Sequence, residues 1–264
     1  MISAYSSEPD FITDFVLNLK EEWDPVSRQL ASERLRKQVA LLEEVAIRTN
    51  QIFSVFDFSS FKYLYYTKNM IGLIGGEKAA GLRWEEFYRH LTTDSFIVDR
   101  FISVRSAVTK QLDAGERMLL KTSMCGGEIT NLQGKSIRCF FGSRPVIFTK
   151  SGEVEVSFDR LVNINPFLAP DAGYWLRITA GSKVFHWRSD SGKVVARDLL
   201  TQREKEFLTL WSGGYSVSAI AETAHVSVHT VKNQLVNARD RLMARDNTSL
   251  VHLCGLTGIL EPSH

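Results

Sequence analysis

Ser227-Val228-His229-Thr230-Val231-Lys232-Asn233-Gln234-Leu235-Val236-Asn237-Ala238-Arg239-Asp240-Arg241-Leu242 carries the clearest helical pattern of the 264-residue chain. Val231, Leu235, Ala238 and Leu242 recur at four, three and four residues, the spacing of one helical face that packs on a small core. Lys232, Asn233, Val236 and Asn237 fall on another face. Ser227 stands where an N-cap belongs. Its hydroxyl can accept one orphan backbone N–H, leaving the other N–H groups and the positive dipole end to face an anion such as a phosphate.

The preceding residues give this helix its context. Thr201-Gln202-Arg203-Glu204 is a capping box opening a helix that turns Phe207, Leu208 and Trp211 inward and closes at Gly213-Gly214. A second short helix spans about Val217 to Ala224, and His225-Val226 joins it to the stretch from Ser227. Two short helices with so brief a link have helix-turn-helix geometry. The pattern Leu200-Thr201-x-Arg203-Glu204-x-Glu206, Gly214-x-Ser216, Ile220-Ala221, Val226-Ser227-x-x-Thr230-Val231-Lys232-x-x-Leu235, Arg241-Leu242 resembles the LuxR/NarL-type DNA-binding domain over residues 199 to 253. Gln234, Ala219 and Asn247 depart from that family's usual residues, which bears on backbone anchoring more than on fold. The resemblance implies that Lys232, Asn233 and Val236 face the major groove and that Ser227 and Thr230 approach phosphates. Adding His229 and Asn237 completes the candidate contact set. Lysine can donate to guanine or phosphate, asparagine can read adenine, and Val236 offers apolar contact to a thymine methyl. The competing reading, a helical packing module without nucleic acid, leaves the polar face with no role. A fourth helix over about Thr248 to Leu256 completes the domain and, by resemblance, carries a dimer contact.

Charge does not help this reading, because from Arg197 onward seven basic residues are balanced by seven acidic ones. A near-neutral reader has a weak non-specific term, so two copies on paired half-sites are expected, and with them a homodimer on double-stranded DNA. The whole chain has a net charge of +2 and is 44% hydrophobic, enough for one large or two ordinary domains. Cys125, Cys139 and Cys254 are odd in number and spaced for neither zinc nor a disulfide framework, which fits a reducing cytoplasm. No signal-peptide pattern and no run of about 18 apolar residues appears, so no membrane partner is expected.

Toward the N-terminus, Phe11, Phe15, Leu19 and Trp23 form a helical stripe that Asp24-Pro25 interrupts. A longer helix is expected from Val26 to about Asn50. Leu35, Val39, Leu42, Ala46 and Phe53 fall near heptad positions there, either a seam between two protomers or a stripe covering its own domain. The period then alternates: strands over Ile52–Phe58 and Lys62–Thr67 are joined by Ser59-Ser60. Short helices follow over Asn69–Gly75 and Trp84–Leu91, then a long one over Ser95–Leu120 carrying Ile97, Phe101, Val104 and Val108. Three strands, about Gly127–Leu132, Ser136–Phe148 and Glu153–Ile164, are separated by Gln133-Gly134 and Lys150-Ser151-Gly152 turns.

Two strands, helices and three strands is the plan of a PAS domain. Tyr66-x-x-Asn69 with Gly75, the corner His90-Leu91-Thr92-Thr93-Asp94, and the hairpins around Gly134-Lys135-x-Ile137-Arg138, Pro145-Val146 and Ser151-Gly152-Glu153-Val154 resemble that family over residues 50 to 165. The resemblance implies a sensory or dimerising module that holds a small ligand, haem or flavin, or nothing. No cofactor is required: the reactive-cysteine motif of the flavin members is replaced by Asn69-Met70-Ile71-Gly72, and His90, which haem would need, fits the corner motif. Cys125 and Cys139 have no obvious basic activator, and Tyr63, Tyr65 and Tyr66 either line a pocket or fill core. Tyr174–Thr179 and Lys183–Trp187 form a further hairpin around Ala180-Gly181-Ser182, either a relay or an ornament on the sheet.

The reading is an α+β chain: a helical segment (1–50), a PAS-like antiparallel sheet with helices (51–166), a hairpin and linker (167–198) and an all-α four-helix reader (199–264). It is expected to act as a cytoplasmic transcription regulator, not an enzyme, with a small-molecule or protein signal at the PAS-like part. A signal-relay adaptor is the alternative. A receiver-type response regulator does not fit the element order, the extra helix after Asn247 and the lack of the other sigma region count against a sigma factor, and neither a phosphate loop nor a metal-spaced histidine cluster marks a catalytic sensor.

Overall fold

The structure, a computed structural model, describes residues 10–24, 29–30, 32–60, 62–74, 95–131 and 133–260. The expected helix over Trp84–Leu91, the His90 corner, Gly75 and Pro25 lie outside the described residues. An antiparallel sheet of eight strands and a C-terminal group of four helices make an α+β fold. By contact density the chain divides into two compact units. One holds residues 1–95, 128–137 and 143–162; the other holds 96–127, 138–142 and 163–264.

In the first unit, α1 (Phe11–Glu22) is followed by a two-residue pair, β1 (Trp23–Asp24) with β2 (Gln29–Leu30), and then by α2 (Glu33–Thr49). The expected start of α2 at Val26 is thus corrected. Ser32 caps the helix by accepting the Leu35 N–H, so helical geometry begins at Glu33. Of the two readings left open for the heptad stripe, the second fits: Leu35, Leu42 and Ala46 are buried in this unit's own core against Phe15, Val16 and Leu19, and Phe53 is on a strand.

Strand β3 (Ile52–Asp57) pairs antiparallel with β4 (Lys62–Tyr66) on one side and with β7 (Val154–Asn163) on the other. β3 is buried along its whole length, with Phe53 and Val55 turned into the core of this unit. Asp57 sets the turn by accepting from the N–H and hydroxyl groups of Ser59 and Ser60. Tyr65 enters the core edge-on to Phe15, whereas Tyr63 packs on Phe56 and Tyr66. Asn69, just before α3 (Met70–Ile74), donates to the Gln51 and Ala46 carbonyls and so ties the end of α2 to the strands.

The second unit starts one residue into α4 (Ser95–Thr109) and continues with α5 (Ala114–Met118), where one helix over Ser95–Leu120 was expected. The break has a local cause: Asp113 and Glu116 form a capping box, which starts a new helix. Leu120 then opens β5 (Leu120–Thr130), seven residues before the expected strand. The extra length pairs with β8 (Trp175–Ala180), in register from Leu120↔Ala180 to Cys125↔Trp175. β8 pairs in turn with β9 (Lys183–Arg188), and β9 with the short β10 (Val194–Val195). The hairpin read as relay or ornament therefore continues the sheet. With β6 (Ser136–Phe148), the strand order is β10-β9-β8-β5-β6-β7-β3-β4. The succession β3, β4, helices, β5, β6, β7 is the PAS plan anticipated from the sequence. Phe101, Val104 and Val108 of α4 pack on Leu120, Leu176, Ile178, Phe185 and Trp187.

Candidate nucleic-acid interface

Four helices follow the sheet: α6 (Gln202–Ser212), α7 (Val217–Thr223), α8 (Val228–Leu242) and α9 (Asn247–Thr257). Each starts at a side chain able to meet orphan N–H groups: Thr201, Ser216, Ser227 and Asp246. Thr201 and Glu204 form the expected capping box. Glu204 is itself buried, and it accepts from Arg241 Nη1 at 3.0 Å, joining the first turn of α6 to the last turn of α8. The link between α7 and α8 turns at His225, whose φ of 53° is left-handed. Asp246 is held down to about 2 by the N–H and hydroxyl of Ser249 and by Arg245.

α8 has the two faces the sequence implied. Val231, Leu235, Ala238 and Leu242 are buried, as are Phe207 and Leu208 of α6, Ile220 of α7 and Leu253 of α9, the helices that α8 packs against. His229, Lys232, Asn233, Val236 and Asn237 are exposed on the other side, and Thr230 is half-buried. Val236 is 40% exposed. Ser227 Oγ accepts the Thr230 N–H at 3.0 Å and lies 2.8 Å from the Thr230 hydroxyl. The structure thus brings the seven candidate residues onto the first turn and solvent face of one helix.

Two features of this helix were not read from the sequence. Asn233 Nδ2 lies 3.0 Å from His229 Nε2, so the amide expected to read a base is already tied to its neighbour one turn back. Asp240 is exposed about two turns beyond Lys232, next to Arg239. Lys232 and Asp240 together add no net charge to the helix, in keeping with the balanced composition of the C-terminal residues.

Residues outside the four helices also reach them within this unit. Arg177 of β8 meets Asp198 at two points, Nε–Oδ1 at 2.8 Å and Nη2–Oδ2 at 2.9 Å, and Lys205 of α6 adds a third contact at 2.6 Å. Burial alone would push the Asp198 carboxyl up, but Arg177 and Lys205 outweigh it and hold the group below its ordinary value. The sequence signals were slight: an arginine interrupting Trp175-Leu176-x-Ile178 and an aspartate just before a capping box, 21 residues apart. Burial lowers His252, which stacks on Phe167, and lowers His186, whose Nδ1 lies 2.6 Å from the Arg197 carbonyl. Among the described residues no cluster of three His, Cys, Asp or Glu is placed to hold a metal, and no helix is long and apolar enough to cross a membrane.

Residues 198–254 match the model of the family described as bacterial regulatory proteins, luxR family, so the resemblance read from the sequence holds for that segment. The response regulator proteins VraR of Staphylococcus aureus and Staphylococcus saprophyticus are each 39% identical over 54 residues, 20% of this chain and 26% of theirs. The chain thus spans about a quarter of the length of these curated relatives. Among solved structures, a Vibrio cholerae VqmA dimer without target DNA, described as a LuxR-type receptor, is 17% identical, covering 84% of this chain and 87% of its own at a TM-score of 0.28. The LOV domain of the blue-light photoreceptor Aureochrome1 is 16% identical, covering 49% of this chain and 84% of its own, with a TM-score of 0.33. At such TM-scores neither likeness bears on fold or function here.

Proposed function

We propose that the chain is a sequence-specific transcription regulator that binds double-stranded DNA as a homodimer, in the cytoplasm, under control of its PAS-like part. The observation that carries the reading is the solvent face of α8, where polar side chains stand opposite a fully packed apolar face inside a helix-turn-helix. The luxR-family match over residues 198–254 supports it. The working division is a helical segment to residue 50, a PAS-like domain at 51–166, a hairpin and linker at 167–198, and the reader from 199.

In this reading Ser227 and Thr230 approach phosphate at the helix N-terminus, Lys232 donates to guanine or phosphate, and Asn233 exchanges its contact with His229 for one with adenine. His229 and Asn237 flank them, and Val236 meets a thymine methyl. With so little net positive charge, one copy has weak non-specific affinity, and two recognition helices one helical turn apart supply the rest. The chain carries out no catalysis. A small molecule or a protein at the PAS-like part shifts the population able to engage both half-sites.

Selection of bound sequences from random duplex DNA by the full-length protein tests this. The expected result is a motif of two half-sites that Lys232→Ala and Asn233→Ala abolish. Absence of any enriched motif would leave a signal-relay adaptor as the better reading.

A further inference from the structure

The last turn of α8 ends on donors from outside the four C-terminal helices. The final carbonyls of a helix lack partners within it. Here Met243 N–H meets the Arg239 and Asp240 carbonyls, but Arg241 O accepts from Arg188 Nη1 at 3.3 Å and Leu242 O from Trp175 Nε1 at 3.3 Å. Arg188 ends β9, and Trp175 opens β8 and is wholly buried. Two main-chain bonds lie beside these, Ala169 N–H to Met243 O at 3.0 Å and Arg245 N–H to Phe167 O at 2.9 Å. Within the sheet, a Cβ on Gly126 would come within 2.5 Å of the Gly173 carbonyl, so this part of β5 and the entry to β8 lie close together. Two residues beyond Trp175 on β8, Arg177 meets Asp198, which Lys205 also contacts.

We propose that the β8–β9 hairpin is part of the DNA reader, with Trp175 and Arg188 as positioning residues that set the direction of α8. A 15-residue helix is a stiff rod, so donors at its last turn govern where its first turns point. β8 is paired with β5 over Leu120–Cys125, so a shift of β8 against β5 moves the base-facing residues Lys232 and Asn233. The hairpin is then a lever between sheet and recognition helix rather than a tether. This inference rests on the DNA-binding reading for its consequence but not for its mechanics.

The test uses the full-length protein with Trp175→Phe, which keeps a ring but loses the donor, and separately Arg188→Met, with Arg188→Lys as the conservative control. Two quantities are read: amide hydrogen exchange along α6 to α9, and the ratio of affinities for the selected DNA site and its single-base variants. The lever requires that exchange at Ala238–Met243 quicken by about tenfold, the scale of one lost hydrogen bond, while α6 and α7 stay protected. It also requires base discrimination to fall with non-specific affinity unchanged, and Arg188→Lys to restore both. Unchanged exchange in both variants, or equal acceleration in all four helices, overturns it. If the wild-type protein selects no DNA, the DNA reading fails and the exchange pattern alone decides the lever.

Discussion

Replacing Asp198 with alanine strands a buried cation. Arg177 and Asp198 have side chains only 8% and 9% exposed, and Arg177 has both its contacts to Asp198 on one carboxylate edge. Removing one partner of such a pair costs about 3–5 kcal/mol, chiefly because the other charge stays buried. Lys205 is 20% exposed and its long stem can carry the ammonium to water, so its share is small. Asp198→Ala is therefore expected to lower the stability of its unit by about 3–5 kcal/mol in urea unfolding followed by tryptophan fluorescence, to which Trp175 and Trp187 contribute. The double replacement Arg177→Met with Asp198→Leu, which removes both charges, is expected to recover most of that loss. The pH profile supplies a second arm. A carboxylate held below its ordinary value contributes stability that is full above the unfolded-state value, near 3.9, and is lost as pH falls through the lower folded value. The wild-type protein is expected to show that loss below about pH 3.9, and Asp198→Ala to lack it. A single variant within about 0.5 kcal/mol of wild type, or a double variant no more stable than the single, would refute the reasoning.

Other consequences are as direct. Ser227→Ala removes the α8 cap and is expected to lower thermal stability by about 0.5–2 kcal/mol, whereas Ser227→Asp keeps the cap but weakens DNA binding by repelling phosphate; melting and anisotropy titrations separate the two. Leu42→Ala is expected to cost about 2–5 kcal/mol with no change in oligomeric state by sedimentation, since Leu42 fills its own unit's core. The three cysteines are buried, and burial pushes the Cys139 and Cys254 thiols up to about 12 and Cys125 higher still. None is expected to react with a thiol reagent at pH 8 until denaturant is added, and all three should then titrate.

The parts legible in the sequence were those set by local chemistry. Thr201 with Glu204 and Ser227 with Thr230 are separated by three residues, so their caps can be read without knowing the fold. The two faces of α8 follow from helical spacing alone. The break between α4 and α5 was also local, in Asp113 and Glu116, but Leu112 is apolar and continues the stripe of Phe101, Val104 and Val108 through it. The α2 stripe shows a different limit: Leu35, Leu42 and Ala46 look the same whether they meet another protomer or Phe15, because periodicity tells which face is buried and not by what. The attachment of hairpin to reader was out of reach. Trp175 and Leu242 are 67 residues apart, and nothing in either residue type names the other.

The central claim is that α8 reads base edges in the major groove. Methylation interference on a selected site tests it most directly, because methyl groups on guanine N7 block the major groove and those on adenine N3 block the minor groove. The account predicts interference by N7 methylation in two patches about one helical turn apart, weakened in Asn233→Ala and Lys232→Ala, with N3 methylation harmless. Interference confined to the minor groove, or none in either groove, would contradict it.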